Sequence, residues 1–314
     1  MRFLPWAAAV ALGALLACAA ALHPAVNWRL SVLGLKATGR LASVSTVDLL
    51  KRLTSFERDQ NGGRWVMGTV TLAHASGEAP CEAVFHTPIG DVHAPLEDEF
   101  DIEWFVDKAI GLHKKQTMDG LMPTIEPGDV VIETGAWVGI FAKAALRYGA
   151  ARVIAIEPVP DNVECMRRTL AEGIAAGRVE IVEAAAWSES GTVRMKQQGP
   201  NNFTGGSEGW NVAPEGDLEV RAMTIDEIVA ELGLERVDLI EMDIEGSERH
   251  ALAGAKETIR RFAPDVAACI HHLPDDPEAV MGVMEKIGAD YQLRRNDRHV
   301  LYFNGAIATA PAAP

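Results

Sequence analysis

The chain has 314 residues, of which 48% are hydrophobic and 23% charged, with a formal net charge of −15. That balance suits a globular protein of one large domain or two modest ones. The negative surface repels polyanions and no Lys/Arg-rich run offsets it, which speaks against DNA or RNA as a partner.

At the N-terminus, Trp6 to Leu22 is an uncharged run of 17 residues. As a helix it reaches ~25 Å, slightly short of a ~30 Å hydrocarbon core. It reads either as an uncleaved anchor or as a signal peptide with small residues for cleavage at Ala19-Ala20-Ala21. Leu15-Leu16-Ala17-Cys18 faintly resembles a lipoprotein box. Only Arg2 precedes the run, whereas Arg29, Lys36, Arg40, Lys51 and Arg52 follow it. Positive charge tends to stay cytoplasmic. The expectation is a membrane-anchored protein, attached through residues 6–22 with its main domain in the cytoplasm, or a cytoplasmic one, ahead of secretion. The four cysteines, Cys18, Cys81, Cys165 and Cys269, are scattered with no CxxC pair. They are expected to be free thiols in a reducing compartment.

Residues 23–63 read as a helical linker and 64–122 as a small lead-in, β-rich at first and then acidic and helical. Trp65 to Leu72 and Glu82 to Thr87 are rich in β-formers, with a turn at His86-Thr87-Pro88-Ile89-Gly90. Leu96 to Leu112 interleaves six acids with Phe100, Trp104 and Phe105, as a solvated amphipathic helix or a lid would.

Residues 123–304 form the main domain. Strands are expected at Val130–Glu133, Arg152–Glu157, Val179–Glu183, Val237–Met242 and Val266–Ile270. Helices are expected at Gly139–Tyr148, Asp161–Ala175, Glu248–Arg261 and Pro277–Ile287. Such alternation predicts an α/β, doubly wound and mostly parallel sheet. Tyr291–Arg294 and His299–Phe303 flank Arg295-Asn296-Asp297-Arg298, which predicts a C-terminal antiparallel hairpin. The Ala/Pro-rich end, 305–314, is expected to be disordered.

Two stretches carry chemistry. The first strand runs into Glu133-Thr134-Gly135-Ala136-Trp137-Val138-Gly139. Gly135 permits a sharp turn and Gly139 close packing as a helix begins, its N–H groups aimed at the crevice beyond the strand ends. The second strand ends in Ile156-Glu157-Pro158, and Glu157 lies 22 residues after Gly135. A carboxylate at that spacing accepts from ribose hydroxyls and disfavours a 2′-phosphate. Ala184-Ala185-Ala186 can border an adenine ring or simply pack. The second stretch, Asp238 to Glu248, puts Asp243, Glu245 and Glu248 within six residues of one another at a strand end. That density of acids needs a cation or hydrogen-bond donors nearby: a sulfonium, an ammonium or a divalent metal.

Gly128 to Ala136, Ile156-Glu157-Pro158, Thr224-Ile225-Asp226-Glu227 and Asp243 to Glu248 together, in this order, resemble the FkbM-type methyltransferases over about Phe85 to Phe303. The resemblance implies a class I methyltransferase (Rossmann-like) fold. It implies S-adenosylmethionine as methyl donor and O-methylation of a hydroxyl on a sugar or small natural product, so the partner is a small-molecule or glycan acceptor. Carried over, Glu133, Gly135, Ala136, Trp137 and Gly139 form the first cofactor loop. Glu157 and Pro158 hold the ribose end, Ala185 and Ala186 border the base, and Asp243 sits near the methionine end. The chain departs from the pattern at Glu133, usually Asp, at Trp137, usually Asn, and at Glu241, usually Lys. The second change puts a large ring at the pocket and the third reverses a charge beside it.

A hydroxyl acceptor needs a base, or a metal that lowers its pKa. Asp243, Glu245, His271 and His272 are the catalytic candidates, the histidines following the fifth strand. A divalent metal on Asp243, Glu245 and one histidine is admissible chemically, but the expectation is that none is resident. Gln197 to Gly216 reads as a substrate lid or a disordered loop. Two other readings compete. A non-catalytic binding domain on the same fold stays open because of Trp137 and Glu241. A nicotinamide-dependent oxidoreductase lacks its third glycine, and none of the three tyrosines has a Lys four residues on.

Overall fold

A computed structural model describes residues 70–75, 79–95, 102, 105, 106, 125–198, 209–288, 291–296 and 300–305. The apolar run at 6–22, the linker, most of the acidic segment at 96–112, the tip of the 197–216 loop and the tail after 305 lie outside these residues.

The lead-in contributes an antiparallel sheet of β1 (Thr71–Ala75), β2 (Ala83–His86) and β3 (Val92–Ala94). The expected turn closes it, with Gly90 N–H donating to the Thr87 carbonyl at 3.0 Å. The main domain opens with β4 (Val130–Thr134), α1 (Ile140–Tyr148), β5 (Arg152–Ile156), α2 (Pro160–Thr169), α3 (Ala171–Ala175) and β6 (Val179–Val182). β4 reads VVIET and β5 RVIAI, each buried along its last four residues. Burial on both faces is what a central parallel strand requires. Pro160 opens α2, where its missing N–H costs nothing.

A second, four-stranded sheet follows, built from β7 (Ala185–Ala186), β8 (Gly191–Gln197), β9 (Trp210–Val212) and β10 (Leu218–Met223), in the order β7-β10-β8-β9. Helix α4 (Ile225–Glu231) leads to β11 (Leu239–Met242), α5 (Glu248–Ala253), α6 (Lys256–Phe262), β12 (Asp265–Cys269), α7 (Asp276–Ile287), β13 (Tyr291–Asn296) and β14 (Val300–Gly305). The large sheet has seven strands ordered β13-β14-β12-β11-β4-β5-β6. Its first five strands in chain order pair in parallel, and the last two form the expected antiparallel hairpin, with β14 against β12.

Two expected helices are each broken. Asp161–Ala175 divides at Leu170 into α2 and α3. Glu248–Arg261 divides at Gly254-Ala255, because the chain there comes so close to Trp187 that a Cβ on Gly254 would lie 2.1 Å from its carbonyl oxygen. The Thr224-Ile225-Asp226-Glu227 motif turns out to be structural. Thr224 caps α4 by accepting from Glu227 N–H at 3.0 Å. Asp226 accepts from Glu257 and Thr258 N–H at 2.9 and 2.7 Å, capping α6 across the gap.

One core lies between the sheet and α4–α7, around Ile132, Ile240, Met223 and Leu252. A second covers the opposite face, with Val131, Val153 and Leu239 packed against Met166 and Leu170. A third joins the lead-in to α1 and α2, with Phe85, Val92, Ile102 and Val106 against Trp137, Ile140 and Cys165. The expectation of free thiols needs correction here. Cys81 and Cys165 are disulfide-bonded, Cα atoms 5.3 Å apart, so the lead-in is tied covalently to α2. Cys269 is free and buried. The bond escapes sequence reading because its partners are 84 residues apart and meet only when the lead-in docks.

Candidate active site

A crevice opens at the C-terminal ends of β4, β5 and β11, where ligands bind in open α/β sheets. The space within it, counting the open solvent at its mouth, is about 1030 Å³. Of the expected cofactor residues, Glu133, Gly135, Ala136, Trp137, Glu157, Pro158, Ala185, Ala186 and Asp243 line it, and so does Glu245. Gly139, His271 and His272 are not among the lining residues. Gly139 serves packing instead: a Cβ there would lie 2.9 Å from the Leu170 side chain of the neighbouring helix layer.

The crevice floor depends on one glycine. Gly135 has φ +81, and a Cβ on it would lie 2.2 Å from the carbonyl oxygen of Asp243. Its absent side chain therefore lets the β4 and β11 loops touch, which brings the two sequence motifs together. Glu157 is 4% exposed and braced by three donors. Its Oε2 accepts from Trp137 N–H at 2.9 Å, and its Oε1 from Val159 N–H at 2.9 Å and Asn162 Nδ2 at 3.2 Å. Burial outweighs these donors and pushes its carboxyl up to about 7. Trp137 takes a left-handed conformation, φ +47, and turns its ring into the lead-in core, 5.1 Å from the ring of Phe105. The large ring is thus a wall between crevice and lead-in.

Glu133 and Glu241 are register partners on adjacent strands, so both side chains lie on the same face of the sheet. Burial pushes the Glu133 carboxyl well above the usual carboxylate range, and the Glu241 carboxylate adds to the shift. Glu133 Oε2 is buried without a hydrogen-bond partner among the described residues. An orphaned carboxyl oxygen in a crevice walled by acids fits a ligand that carries positive charge.

Beyond the crevice the acids of β11 meet β12. Glu245 is left-handed, φ +56, and its Oε2 accepts from Gln198 Nε2 at 2.9 Å. His272 Nε2 faces Asp243 Oδ1 at 3.3 Å and Glu245 Oε1 at 3.7 Å. On the other side of the ring, His272 Nδ1 lies 3.1 Å from Glu248 Oε1, off the N–H axis. Burial by itself would lower the His272 pKa; the Asp243 and Glu248 carboxylates overcome it and push it up to about 11. Glu248, fully buried, also accepts from Ile244 N–H at 3.0 Å and so pins the turn that carries Asp243 and Glu245. The His271 ring lies tilted against that of His272, ring centroids 4.2 Å apart.

Sequence reasoning missed Met195 and Val212, which the second sheet adds to the crevice, and Gln198, which bonds Glu245; Trp210 and Phe105 lay in the two segments read as possible lids, and both line the crevice. Trp210 lies in the segment expected to be a lid or disordered, and the structure makes it the start of a strand. The seven-stranded sheet, its antiparallel hairpin and the acid-walled crevice define a class I methyltransferase fold.

Residues 129–293 match the family model described as "Methyltransferase FkbM domain". The match spans more than half of the chain, which therefore belongs to the FkbM-domain methyltransferases. It is similar to the 31-O-demethyl-FK506 methyltransferase FkbM of Streptomyces tacrolimicus, 27% identical over 176 residues, 47% of this chain and 67% of that protein. The 2-O-methyltransferase NoeI of Sinorhizobium fredii is 37% identical over 79 residues, 25% of this chain and only 30% of that protein. A solved FkbM methyltransferase from Methylobacillus flagellatus is 23% identical, with a TM-score of 0.46, covering 66% of this chain and 54% of that one.

Proposed function

We propose that this protein is an S-adenosylmethionine-dependent O-methyltransferase acting on a hydroxyl of a sugar or small natural product. The observation that carries the reading is a single crevice with a buried, donor-braced Glu157 at one end and Asp243 and Glu245 at the other. The cofactor supplies an electrophilic methyl group on a sulfonium. Glu157 accepts from its ribose hydroxyls, Pro158, Ala185 and Ala186 border the adenine, and Glu133 with the Gly135 loop faces the positively charged methionine end. Phe105, Trp137 and Trp210 give the acceptor apolar walls. No Lys or Arg is among the described lining residues, which favours a neutral acceptor over a phosphorylated one.

Asp243 and Glu245 flank the acceptor side and take the hydroxyl proton. His272 stands behind them, its Nε2 turned toward Asp243 and Glu245. Holding acceptor and methyl group in line supplies most of the catalysis. A donor made in the cytosol places the domain on that side of the membrane, attached through residues 6–22 or free of it. The Cys81–Cys165 bond then has to persist against a reducing pool.

The test is calorimetric titration of S-adenosylmethionine and S-adenosylhomocysteine into the full-length chain, beside Glu157→Ala. Micromolar binding that the substitution weakens tenfold or more, about 1.4 kcal/mol, is expected, followed by methyl transfer in a panel of hydroxylated acceptors. No heat from either ligand in folded protein overturns the reading and leaves a binding domain without this cofactor.

A further inference from the structure

The crevice contains a chemical mismatch. A hydroxyl acceptor has a pKa near that of water, about 15.7, whereas a carboxylate base ordinarily has one of about 4. Proton removal by Asp243 or Glu245 alone is therefore steeply uphill. A Lewis acid beside the acceptor would remove the mismatch, and the ends of β11 and β12 present the donor set for one.

We infer that Asp243, Glu245 and His272, joined by His271, form a binding site for a divalent transition metal at the acceptor end of the crevice. The inference rests on the methyl-transfer reading for its chemistry but on geometry for the site itself, and it departs from the expectation of no resident metal. One oxygen of Asp243 and one nitrogen from each histidine all lie within 4.8 Å of one another. His272 Nε2 is 3.3 Å from Asp243 Oδ1 and 3.7 Å from Glu245 Oε1. Ligands ~2.1 Å from a tetrahedral metal lie ~3.4 Å apart, so the set needs only small shifts to close on an ion.

A second, independent feature comes from behind the ring. The His272 side chain is 8% exposed and that of Glu248 is fully buried. Glu248 Oε1 sits 3.1 Å from Nδ1, and neither Nδ1 nor Glu248 Oε2 has an aligned hydrogen-bond partner among the described residues. A carboxylate at Nδ1 holds that nitrogen protonated and turns the Nε2 lone pair toward Asp243 and Glu245. That is the carboxylate–histidine–metal arrangement, in which the outer acid orients the ligand and raises its basicity. Arg249, next in sequence, is occupied by Asp275 and Asp276 and does not compete. Imidazole with carboxylates favours Mn, Fe or Zn over Mg. With an ion there, the acceptor hydroxyl becomes acidic enough for the oxygen of Asp243 or Glu245 that does not hold the ion to take its proton.

The experiment is Mn²⁺ binding to the full-length chain at pH 8, read by calorimetry and by the electron paramagnetic resonance signal of free Mn²⁺, with S-adenosylhomocysteine titrated in parallel. One Mn²⁺ per chain at micromolar Kd is expected, with histidine nitrogen modulation in the pulsed spectrum. Asp243→Asn and His272→Ala should each weaken it tenfold or more. Glu248→Gln, which touches no metal, should weaken it about 10- to 100-fold. No Mn²⁺ binding up to millimolar concentration by folded wild-type protein overturns the site, as does binding that survives both ligand substitutions undiminished. If S-adenosylhomocysteine binds and Mn²⁺ does not, the metal inference fails while the cofactor reading stands. If Mn²⁺ binds and S-adenosylhomocysteine does not, the metal site holds and the proposed reaction fails.

Discussion

The protonation of Glu157 should govern cofactor affinity across the neutral range. Its carboxyl is buried and titrates at about 7, far above the free side chain. Val159 N–H and Asn162 already fill the two acceptor sites of Oε1, whereas Oε2, which accepts only from Trp137 N–H, keeps a lone pair for the ribose hydroxyls. Those hydroxyls donate well only to the ionised form. The charged fraction is ~0.9 at pH 8 and ~0.1 at pH 6, so the Kd of S-adenosylhomocysteine should weaken about tenfold between them, ~1.4 kcal/mol. S-adenosylhomocysteine is the better ligand for this measurement because it lacks the sulfonium charge that faces Glu133. Glu157→Gln removes the titrating group and should cost about 1.5–3 kcal/mol at pH 8, the range for hydrogen bonds to a charged acceptor. Calorimetry at pH 6, 7 and 8 on both proteins gives the decisive quantity, the variant-to-wild-type Kd ratio. It should be tenfold or more at pH 8 and fall toward one at pH 6. A ratio independent of pH, or a wild-type Kd constant within twofold, would refute the assignment of Glu157 to the ribose.

Two buried acids, Glu133 and Glu157, also contribute to the pH dependence of stability. Glu133 and Glu157 have raised folded-state pKa values, so the folded protein binds more protons than the unfolded chain and gains stability as pH falls, for Glu157 through about 7. Glu157 alone contributes about 1.4 kcal/mol between pH 8 and pH 6. The Tm of ligand-free protein should therefore be higher at pH 6, with the difference reduced in Glu157→Gln; a higher Tm at pH 8 would contradict it. Gly135→Ala, which drives a Cβ to 2.2 Å from the Asp243 carbonyl at φ +81, should cost more than about 2 kcal/mol in urea denaturation and abolish cofactor binding. Thiol titration of unreduced, denatured protein should find at most two thiols rather than four, Cys81 and Cys165 being bonded and Cys269 free. Cys81→Ser should lower stability by up to about 4.5 kcal/mol, the chain-entropy figure for a loop this long. Four titratable thiols, or a Cys81→Ser variant as stable as wild type, would rule out a contribution from the bond.

The central sheet was legible because its strands are buried on both faces and punctuated by glycine, so apolar runs such as VVIET and RVIAI mark them without reference to the rest of the chain. Gly135, Glu157, Asp243 and Glu245 could be picked out because each sits at a strand end, where position in sequence fixes position in the crevice. The second sheet left no such mark. In β8 only Met195 is buried, and a strand with one side chain inside reads as loop. Helix breaks also depended on contact: Gly254 is a boundary because Trp187 lies against it. What the tertiary structure alone decided is which distant groups share a charge. Glu248 caps a turn, faces His272 across 3.1 Å and so links β11 to β12; Cys81 finds Cys165; and Glu133 meets Glu241 by strand register. Sequence sets the chemistry each residue can perform, but pKa values, ion pairs and ligand sets depend on distances of a few ångströms that only the packed sheet establishes.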